Sequence, residues 1–391
     1  MTVNSPAQRS LPLFSVFEET AVKNDGMAET NLLSLSYGRI VSKNIDAVGG
    51  LLPASFATYQ IVNPGQIVLR LTDMQNDQKS LRSGLVQERG IITSAYCALR
   101  TRGWGEGWNR YFDYFFHALD VSKQLYSLGG GVRQSLKYAD IKHVRVLIPS
   151  ESVRDKIVRY LDAETAKIDH LIAKQRELLT LLDLRNEARW HEAFKGFTPL
   201  KTHPLKRLLV KQYRPVVEGT GVVTAFRDGE VTLRSNRREE GFTFSESEAG
   251  YQGVVAGDLV FHGLDGFAGA VGISDSDGQS TPVYHICRLR NDYDNLQFIA
   301  YLLRYLGNSG FLATQAPSVR QRAVDFRNWQ TFGRIPLSLP DGKAQQRIVS
   351  ELDESAKALA DARATIEHAL GLLQERRSAL IAAAVTGQIE I

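Results

Sequence analysis

A stretch of helix-forming sequence occurs twice in this chain, and the two copies align without a gap. The first copy begins at Pro149 and the second at Pro340. Identical residues recur at one constant separation, and the clearest pairs are Ile157 and Ile348, Leu161 and Leu352, Asp162 and Asp353, Arg185 and Arg376, and Gly196 and Gly387. A repeat whose period is about half of the chain constrains the architecture more than any local motif does. The sequence therefore predicts that one order of elements is built twice.

Both copies carry apolar residues at alternating three- and four-residue spacing, which is typical of a coiled-coil seam. No proline interrupts either copy, and about forty helical residues would span ~60 Å. Helices of that length are too long to bury in one small domain. We therefore expect them to pair with each other in antiparallel orientation, which would relate the two halves by an approximate two-fold axis. A homodimeric coiled coil and ordinary core helices are the alternatives. The predicted seam residues are Ile157, Leu161, Ile168, Leu171, Leu178, Leu182, Ile348, Leu352, Leu359, Ile366 and Leu373.

The sequences that precede the two helices also resemble each other, although their alignment needs gaps. Strand-like runs match at Tyr59 and Tyr251 and again at Cys97 and Cys287, and each half contains an aromatic-rich helical run. We predict an α+β chain with two similar α/β domains, separated by two long helices that pair as an antiparallel coiled coil. The predicted boundaries are 1–148 for the first domain, 149–196 for the first helical region, 197–339 for the second domain and 340–391 for the second helical region.

The composition restricts the partners and the cellular compartment that we expect for this protein. The chain has 47 basic and 43 acidic residues and a formal net charge of +4, so nucleic-acid binding requires that charge be segregated on the surface. Cys97 and Cys287 form no paired motif, which fits a reducing cytoplasm. We recognise no secretory signal at the N-terminus, and no apolar run approaches the ~18 residues of a membrane span. We expect a cytoplasmic protein without membrane attachment.

Motifs of DNA-modifying and nucleotide-hydrolysing enzymes are missing from the sequence. An amino-methyltransferase needs an Asn/Asp-Pro-Pro-aromatic loop, and this chain contains no Pro-Pro. Gly342-Lys343-Ala344 does not fit a phosphate-binding loop. Asp77-Gln78-Lys79 faintly resembles a nuclease motif. Such a tripeptide is common by chance, and we interpret it as part of a solvated loop. The eight histidines are scattered without metal-ligand spacing. We therefore predict no catalytic residues, no metal and no cofactor.

Short motifs in both halves carry a family resemblance. They are Tyr251, Val254, Gly257, Asp258, Leu259 and Val260 in one strand, Thr281, Pro282, Val283 and Tyr284 in the next, and Leu339, Pro340, Gln346 and Ile348 at the helix start. Looser copies are Tyr59, Val62, Gly65, Gln66, Ile67 and Val68, then Ser94, Ala95 and Tyr96, then Ile148, Pro149 and Ile157. In this order, and twice, they resemble the specificity subunit of type I restriction–modification systems over essentially the whole chain. Arg154-Asp155 stands where the family has a Glu-Gln pair.

The resemblance implies two target recognition domains that alternate with two conserved helical regions, and a function without chemistry of its own. It implies binding of bipartite, asymmetric double-stranded DNA, with one recognition domain for each half-site. The helical regions would fix the spacing and hold two modification (methyltransferase) subunits, to which restriction (translocase/endonuclease) subunits add. Two other interpretations stay open. One is a coiled-coil scaffold that binds protein and not DNA, and the other is a stand-alone DNA methyltransferase or nuclease.

Side chains that reach base edges or neutralise phosphates are mostly Arg, Lys, Asn and Gln, and we expect them in loops. The candidates in the first half are Arg39, Lys43, Arg102, Asn109, Arg110, Arg133, Gln134 and Lys137. Those in the second half are Arg234, Asn236, Arg237, Arg238, His262, Arg320, Gln321 and Arg322. For any one of them a solvated surface charge is the alternative. Arg133-Gln134 and Arg320-Gln321-Arg322 are the strongest because they recur at corresponding places, and a role in docking the helix would also explain that recurrence.

Overall fold

Contacts divide the chain into two compact units, which we call unit 1 and unit 2. The computed structural model describes residues 9–44, 55–74, 81–128, 135–237, 250–316, 319–320 and 323–391. Unit 1 contains Met1–Arg176 and Ile366–Ile391, and unit 2 contains Glu177–Thr365. Each unit therefore includes one globular half of the sequence repeat and a part of each long helix.

Unit 1 combines short strands with an aromatic helix. Its strands are β1 (Arg9–Pro12), β2 (Phe17–Thr20), β3 (Val22–Lys23), β4 (Leu32–Ser36), β5 (Arg39–Lys43), β6 (Gln60–Val62), β7 (Ile67–Leu69), β8 (Ser83–Leu85), β9 (Gly90–Ile92), β10 (Cys97–Thr101) and β11 (Arg145–Ile148). Its helices are α1 (Leu13–Val16), α2 (Asn109–Val121), α3 (Tyr138–Ile141) and the first part of α4 (Glu151–Lys195), with 3-10 turns at Asp25–Met27, Glu106–Trp108 and Gln124–Ser127. Hydrogen bonds form a four-stranded sheet in the order β2-β10-β7-β8, a five-stranded sheet in the order β3-β6-β9-β4-β5, and the pair β1-β11.

Helix α2 supplies the aromatic core of unit 1. Three- and four-residue spacing places Phe112, Phe115, Phe116 and Leu119 on one face of the helix, and all four are buried. Phe17 of β2 meets Phe112 edge to face, with 4.9 Å between the ring centroids. Each such side chain contributes roughly 1.5–3 kcal/mol by leaving water, so this face holds the helix in place.

Unit 2 has the same kinds of elements. Its strands are β12 (Lys201–Pro204), β13 (Leu209–Lys211), β14 (Val223–Ala225), β15 (Val231–Leu233), β16 (Gln252–Val254), β17 (Leu259–His262), β18 (Val271–Ile273), β19 (Gly278–Ser280), β20 (Tyr284–Leu289), β21 (Val319–Arg320), β22 (Ala323–Val324) and β23 (Pro336–Leu339). Its helices are α5 (Leu205–Leu208), α6 (Leu296–Asn308), α7 (Phe311–Thr314), α8 (Trp329–Phe332) and the first part of α9 (Gly342–Val385), with 3-10 turns at Arg234–Asn236 and Gly266–Ala268. The sheets are β13-β20-β17-β18 and the pairs β12-β23, β14-β15, β16-β19 and β21-β22.

The two units share one framework, and its strand register corrects part of the sequence alignment. Leu99 of β10 lies opposite Ile67 of β7, and Cys287 of β20 lies opposite Leu259 of β17. Because Leu259 is the counterpart of Ile67, Cys287 corresponds to Leu99, and its predicted match with Cys97 is wrong. A shift of two residues keeps every side chain on the same face of the sheet, so apolar alternation alone could not detect the error.

The two long helices contact each other within each unit, as predicted. Helix α4 has 45 residues and α9 has 44, so each spans about 65 Å. In unit 1, Arg377 of α9 donates to Asp169 of α4 at 3.0 Å. In unit 2, Arg363 pairs with Asp183, and Arg189 donates to Ser355 at 2.7 Å. Residue numbers fall along α9 as they rise along α4, so the helices run antiparallel.

Most, but not all, of the predicted seam residues are buried or half-buried. Residues of the predicted set that are buried are Ile157, Leu161, Ile168, Ile348 and Leu352. Those that are half-buried are Leu182, Leu359, Ile366 and Leu373. The prediction is wrong for Leu171 and Leu178, which are 48% and 46% exposed.

Ile172 is buried where Leu171 was predicted, and Leu179 is half-buried where Leu178 was predicted. The physical reason is that the seam advances from Ile168 by four residues and not by three. Leucine and isoleucine stand side by side at this step, so the apolar pattern fits either advance.

Candidate nucleic-acid interface

Arg39 connects a strand of unit 1 to a long helix. Its guanidinium lies 2.6 Å from the carboxylate of Asp169 in α4, and the same carboxylate accepts from Arg377 at 3.0 Å. The Arg39 side chain nevertheless stays 63% exposed. A surface ion pair of this kind contributes ~0–1 kcal/mol, so Arg39 is restrained without being removed from solvent.

Arg110 lies at the start of α2 and is surrounded by acceptors. It donates to Asp113 and to Asp162, each at 2.8 Å, and to the Tyr114 hydroxyl at 3.0 Å. Burial lowers the pKa of Arg110, but Tyr114, Asp113 and Asp162 together outweigh it and raise that pKa. The guanidinium therefore joins α2 to α4 as a permanent cation.

Asn109 packs against a turn that only glycine fits. Gly65 has a φ of +86°, and a Cβ at that position would lie 2.5 Å from the Asn109 amide nitrogen. Asn109 also lines a cleft of about 740 Å³, to which the described residues contribute three acids, Glu106, Asp162 and Asp169, and one cation, Arg110. Three carboxylates and one cation make this cleft unsuited to a phosphate.

The other candidates in unit 1 are more open to solvent. Lys43 and Lys137 are exposed, and neither side chain has a hydrogen bond or ion pair in the part of the chain that the structure describes. Arg102 is also exposed, but it lies 3.4 Å from Glu18 and donates to the Phe17 carbonyl at 3.2 Å. Arg133 and Gln134 lie outside the described residues.

In unit 2, the candidates that follow β15 are held by local contacts. Arg237 pairs with Asp228 at 2.7 Å and with Glu230 at 3.1 Å, and its guanidinium lies over the Phe226 ring at 4.3 Å. Asn236 donates to the Thr232 hydroxyl at 2.8 Å.

Arg234 lies in the same 3-10 turn as Asn236 and is half-buried. Arg238, Gln321 and Arg322 lie outside the described residues. Arg320 ends strand β21, and its side chain is likewise outside them.

His262 shapes the loop that follows β17. Its Nδ1 accepts hydrogen bonds from the backbone N–H of Asp265 at 2.8 Å and of Leu264 at 3.2 Å. Burial lowers the pKa of His262, with a smaller opposing effect from Asp265. The imidazole is therefore held neutral, with its Nε2 as the protonated nitrogen.

Two glutamines occupy the same place in the two units. Gln60 donates to the carbonyls of Thr93 and Tyr96, at 3.2 and 2.6 Å. Gln252 donates to the carbonyls of Thr281 and Tyr284, at 3.3 and 2.8 Å. These bonds tie β6 and β16 to the turn before β10 and β20, so the motif ending in Tyr96 and in Tyr284 has one structural role in both units.

The next matched position differs in charge. Gln66 accepts from the Asn63 N–H at 2.5 Å and donates to the Thr20 hydroxyl at 2.8 Å. Its counterpart Asp258 accepts from the Val255 N–H at 2.9 Å. The two units therefore repeat a framework while changing the polar groups set into it.

The Asp258 carboxylate is fully buried and is neutralised by arginines from two strands or their extensions. Arg214 pairs with Asp258 through both terminal nitrogens, and Arg288 donates to it at 2.7 Å. A buried carboxylate with several charge-assisted hydrogen bonds is stable only while those partners remain.

No family model and no curated protein matches the sequence. Solved structures do match over nearly the full length. A chain from work on complex assembly and conformational transition of the type I R-M system aligns with a TM-score of 0.66 and 15% identity, covering 98% of this chain and 99% of that chain. The HsdS subunit from Thermoanaerobacter tengcongensis aligns with a TM-score of 0.50 and 14% identity, covering 98% of both chains. The chain has the fold of a type I restriction–modification specificity subunit.

Unit 2 of this specificity-subunit fold contains one cluster of basic residues that the sequence did not predict. His203, Lys206, Arg207 and Arg290 line a cleft of about 620 Å³ together with Leu208, Asn291, Tyr293 and Trp329. We call these eight residues the cationic cleft. The adjacent pair Lys206-Arg207 could have indicated this cluster in the sequence, because the aligned pair Phe14-Ser15 in the first half carries no charge. Arg290 joins them only through folding.

Membrane spans and metal sites are both missing from the described residues of this specificity-subunit fold. No helix there is both long enough and apolar enough to cross a membrane. No group of three or more His, Cys, Asp or Glu side chains in the same residues is arranged to hold a metal ion.

Proposed function

We propose that this chain is the DNA sequence-specificity subunit of a type I restriction–modification complex. It binds a bipartite, asymmetric site in double-stranded DNA, with one half-site for each unit. The long helices set the spacing between half-sites and hold two methyltransferase subunits, to which restriction subunits add. The observation that carries the proposal is the duplicated framework with altered polar groups, on a chain with the specificity-subunit fold.

The polar groups that differ between the two units bear on the DNA sequence that each unit recognises. Two identical units related by symmetry would bind a palindrome, as symmetric DNA-binding dimers do. Here Asp258 with two arginines stands where unit 1 has the neutral Gln66. Loops built on different polar groups present different donors and acceptors to base edges. We therefore infer that the two half-sites differ in sequence.

The predicted DNA contacts differ in exposure and in ion pairing, and we divide them into two groups on that basis. Lys43 and Lys137 are exposed and remain proposed contacts to DNA, whereas Arg102 is paired with Glu18 of its own unit. Arg110 and Arg237 are held by carboxylates of their own unit, so we propose that they position the surrounding loops. Arg133-Gln134 and the 320–322 segment keep their predicted role in DNA binding.

The proposal gives the chain no chemistry of its own. Methyl transfer to a base requires that the base be flipped out of the duplex into a pocket, and we assign that step to the methyltransferase partners. We propose that the complex acts in the cytoplasm, where the free thiols of Cys97 and Cys287 would stay reduced.

Footprinting tests the proposal directly. The full chain is reconstituted with the methyltransferase subunits of a type I system from its host and mapped on duplex DNA. We expect two protected segments of different sequence, separated by an unprotected spacer. Exchanging residues 1–148 for those of another specificity subunit should alter one segment only. A complex that assembles but protects no DNA would identify the chain as a protein-only scaffold.

A further inference from the structure

The cationic cleft contains several cations and no carboxylate. Lys206, Arg207 and Arg290 are exposed, and His203 is half-buried beside them. Within the described residues, the side chains of Lys206, Arg207 and Arg290 form no hydrogen bond or ion pair. Most of the arginines discussed above are held by acids of their own unit. Three uncompensated cations around one cavity produce a positive potential that attracts an anion.

Backbone hydrogen bonds identify the same place in unit 1. The N–H of Lys206 donates to the Gly333 carbonyl as that of Phe14 donates to the Lys142 carbonyl. The N–H of Arg290 donates to the Leu208 carbonyl as that of Arg102 donates to the Val16 carbonyl. Lys206 and Arg290 are therefore the counterparts of Phe14 and Arg102.

The charges at these matched places differ. Phe14 is apolar and Ser15, the counterpart of Arg207, is neutral. Arg102 faces Glu18 at 3.4 Å, whereas the matching position beside Arg290 is Val210, which pairs with Arg288 across β13 and β20. Compared with unit 1, unit 2 therefore has two additional cations at these positions and lacks the acid that would neutralise a third.

We propose that the cationic cleft binds a phosphodiester of the DNA backbone, through a contact that these matched positions of unit 1 do not provide. Arg207 and Arg290 supply planar guanidinium groups that match two phosphate oxygens, and Lys206 supplies a compact point charge. This inference rests on the proposed binding of DNA and adds an asymmetry to it, because unit 2 would hold the backbone more strongly at this point.

An acidic surface of a partner protein would offer the same charge, but the asymmetry favours DNA. Two identical methyltransferase subunits docking on a duplicated framework should find the same surface twice. The charges of the cleft are not repeated at the matched positions Phe14, Ser15 and Arg102. A contact to the DNA backbone has no such requirement, because each half-site is engaged separately.

The experiment measures the salt dependence of DNA binding by the full complex with its methyltransferase subunits. The test variant is Lys206→Gln/Arg207→Gln/Arg290→Gln. The control is Arg227→Gln/Arg327→Gln/Lys357→Gln, which removes the same charge from exposed positions of unit 2 outside the cleft. Each complex is titrated with a duplex that carries the bipartite site and with a scrambled duplex, from about 50 to 300 mM KCl.

Loss of one phosphate contact should reduce the slope of log Kobs against log[salt] by about 0.9. At 0.15 M salt this corresponds to roughly fivefold weaker binding. We expect the loss on both duplexes, with the preference for the bipartite site unchanged and with the slope of the control variant equal to that of the wild type.

A test-variant slope equal to that of the control would overturn the inference. Loss of methyltransferase co-purification without a change in slope would overturn it in favour of an acidic protein partner. Either result can occur while the wild-type complex still discriminates the bipartite site, so the proposed function survives it. A wild-type complex that does not discriminate the two duplexes would instead contradict the proposed function. In that case the salt slope on the scrambled duplex would still test whether the cationic cleft binds the DNA backbone.

Discussion

Arg288 donates a hydrogen bond to the fully buried carboxylate of Asp258, with 2.7 Å between Nε and Oδ1. Arg214 binds the same carboxylate from another strand extension. The corresponding residue of unit 1 is Gln66, which uses a neutral amide and the Thr20 hydroxyl. One framework position is therefore stabilised by charge in unit 2 and by neutral hydrogen bonds in unit 1.

Asp258→Asn should destabilise the chain by about 2–4 kcal/mol, because it removes the negative charge that strengthens three hydrogen bonds to a buried group. The matched control is Asp265→Asn, where a 40% exposed carboxylate pairs with Arg227 at 2.8 Å and lies 3.7 Å from the His262 ring, and the expected loss is below ~1 kcal/mol. Urea denaturation of the full chain measures both. Equal losses for the two variants would show that burial of Asp258 adds nothing to its ion pairs.

His285 makes the stability of unit 2 depend on pH. Its ring is stacked on Phe332 at 4.8 Å, and its Nε2 lies 2.7 Å from the Phe326 carbonyl. Burial lowers the pKa of His285 to about 4, and the nearby Lys211 acts in the same direction while the bond to Phe326 opposes it. The folded chain therefore binds this proton less readily than the unfolded chain, whose histidine has a pKa of about 6.5.

The stability contributed by neutral His285 is complete above pH ~6.5 and is lost as the pH falls towards 4, by about 3 kcal/mol. His285→Gln should remove this part of the pH dependence, and His170→Gln, at an exposed position of α4, should leave it in place. Urea denaturation at intervals between pH 7 and pH 4.5 is the measurement. An unchanged acid slope in His285→Gln would refute the assignment.

Leu161 and Leu171 are a matched pair for testing the helical seam. Leu161 is completely buried and Leu171 is 48% exposed, although both are leucines of the same helix. Leu161→Asp should cost more than ~4 kcal/mol, since it combines a lost apolar contact with an unpaired buried charge. Leu171→Asp should change stability by less than ~0.5 kcal/mol. Thermal unfolding followed by circular dichroism separates them, and similar losses would contradict the burial pattern.

The fold was largely predictable because its strongest signals are local in sequence. Two long uninterrupted helices and repeated strand motifs need no knowledge of tertiary contacts, and the predicted α+β fold with paired helices is confirmed. The choice between Leu171 and Ile172 was not predictable, because both are apolar and only the folded structure shows which of them is buried. The register of Cys287 failed for a similar reason, since strand periodicity is unchanged by a shift of two residues.

The candidate site was less predictable because charge depends on distant partners. Arg39 looks free in sequence, yet it pairs with Asp169, which is 130 residues away. The cationic cleft shows the converse case. Lys206 and Arg290 come together only through folding, and what distinguishes them is that no acid in the described part of the chain pairs with them. A single sequence shows which cations exist but not which of them remain uncompensated.

The proposed spacer function gives the last prediction. One heptad is removed from each long helix, between the Asp169–Arg377 contact and the Asp183–Arg363 contact. Seven residues preserve the seam, because the apolar pattern repeats every seven. Each helix becomes ~10 Å shorter, which equals about three base pairs at the ~34 Å per ten base pairs of DNA.

Methylation-sensitive sequencing of a host that carries the shortened chain measures the result. We expect both half-site sequences to be unchanged and the spacer between them to be shorter by about three base pairs. Removing a heptad from α4 alone is the control, since it leaves the facing segment of α9 unpaired and should prevent assembly. A shortened chain that assembles and methylates the original site would show that the helices do not set the spacing.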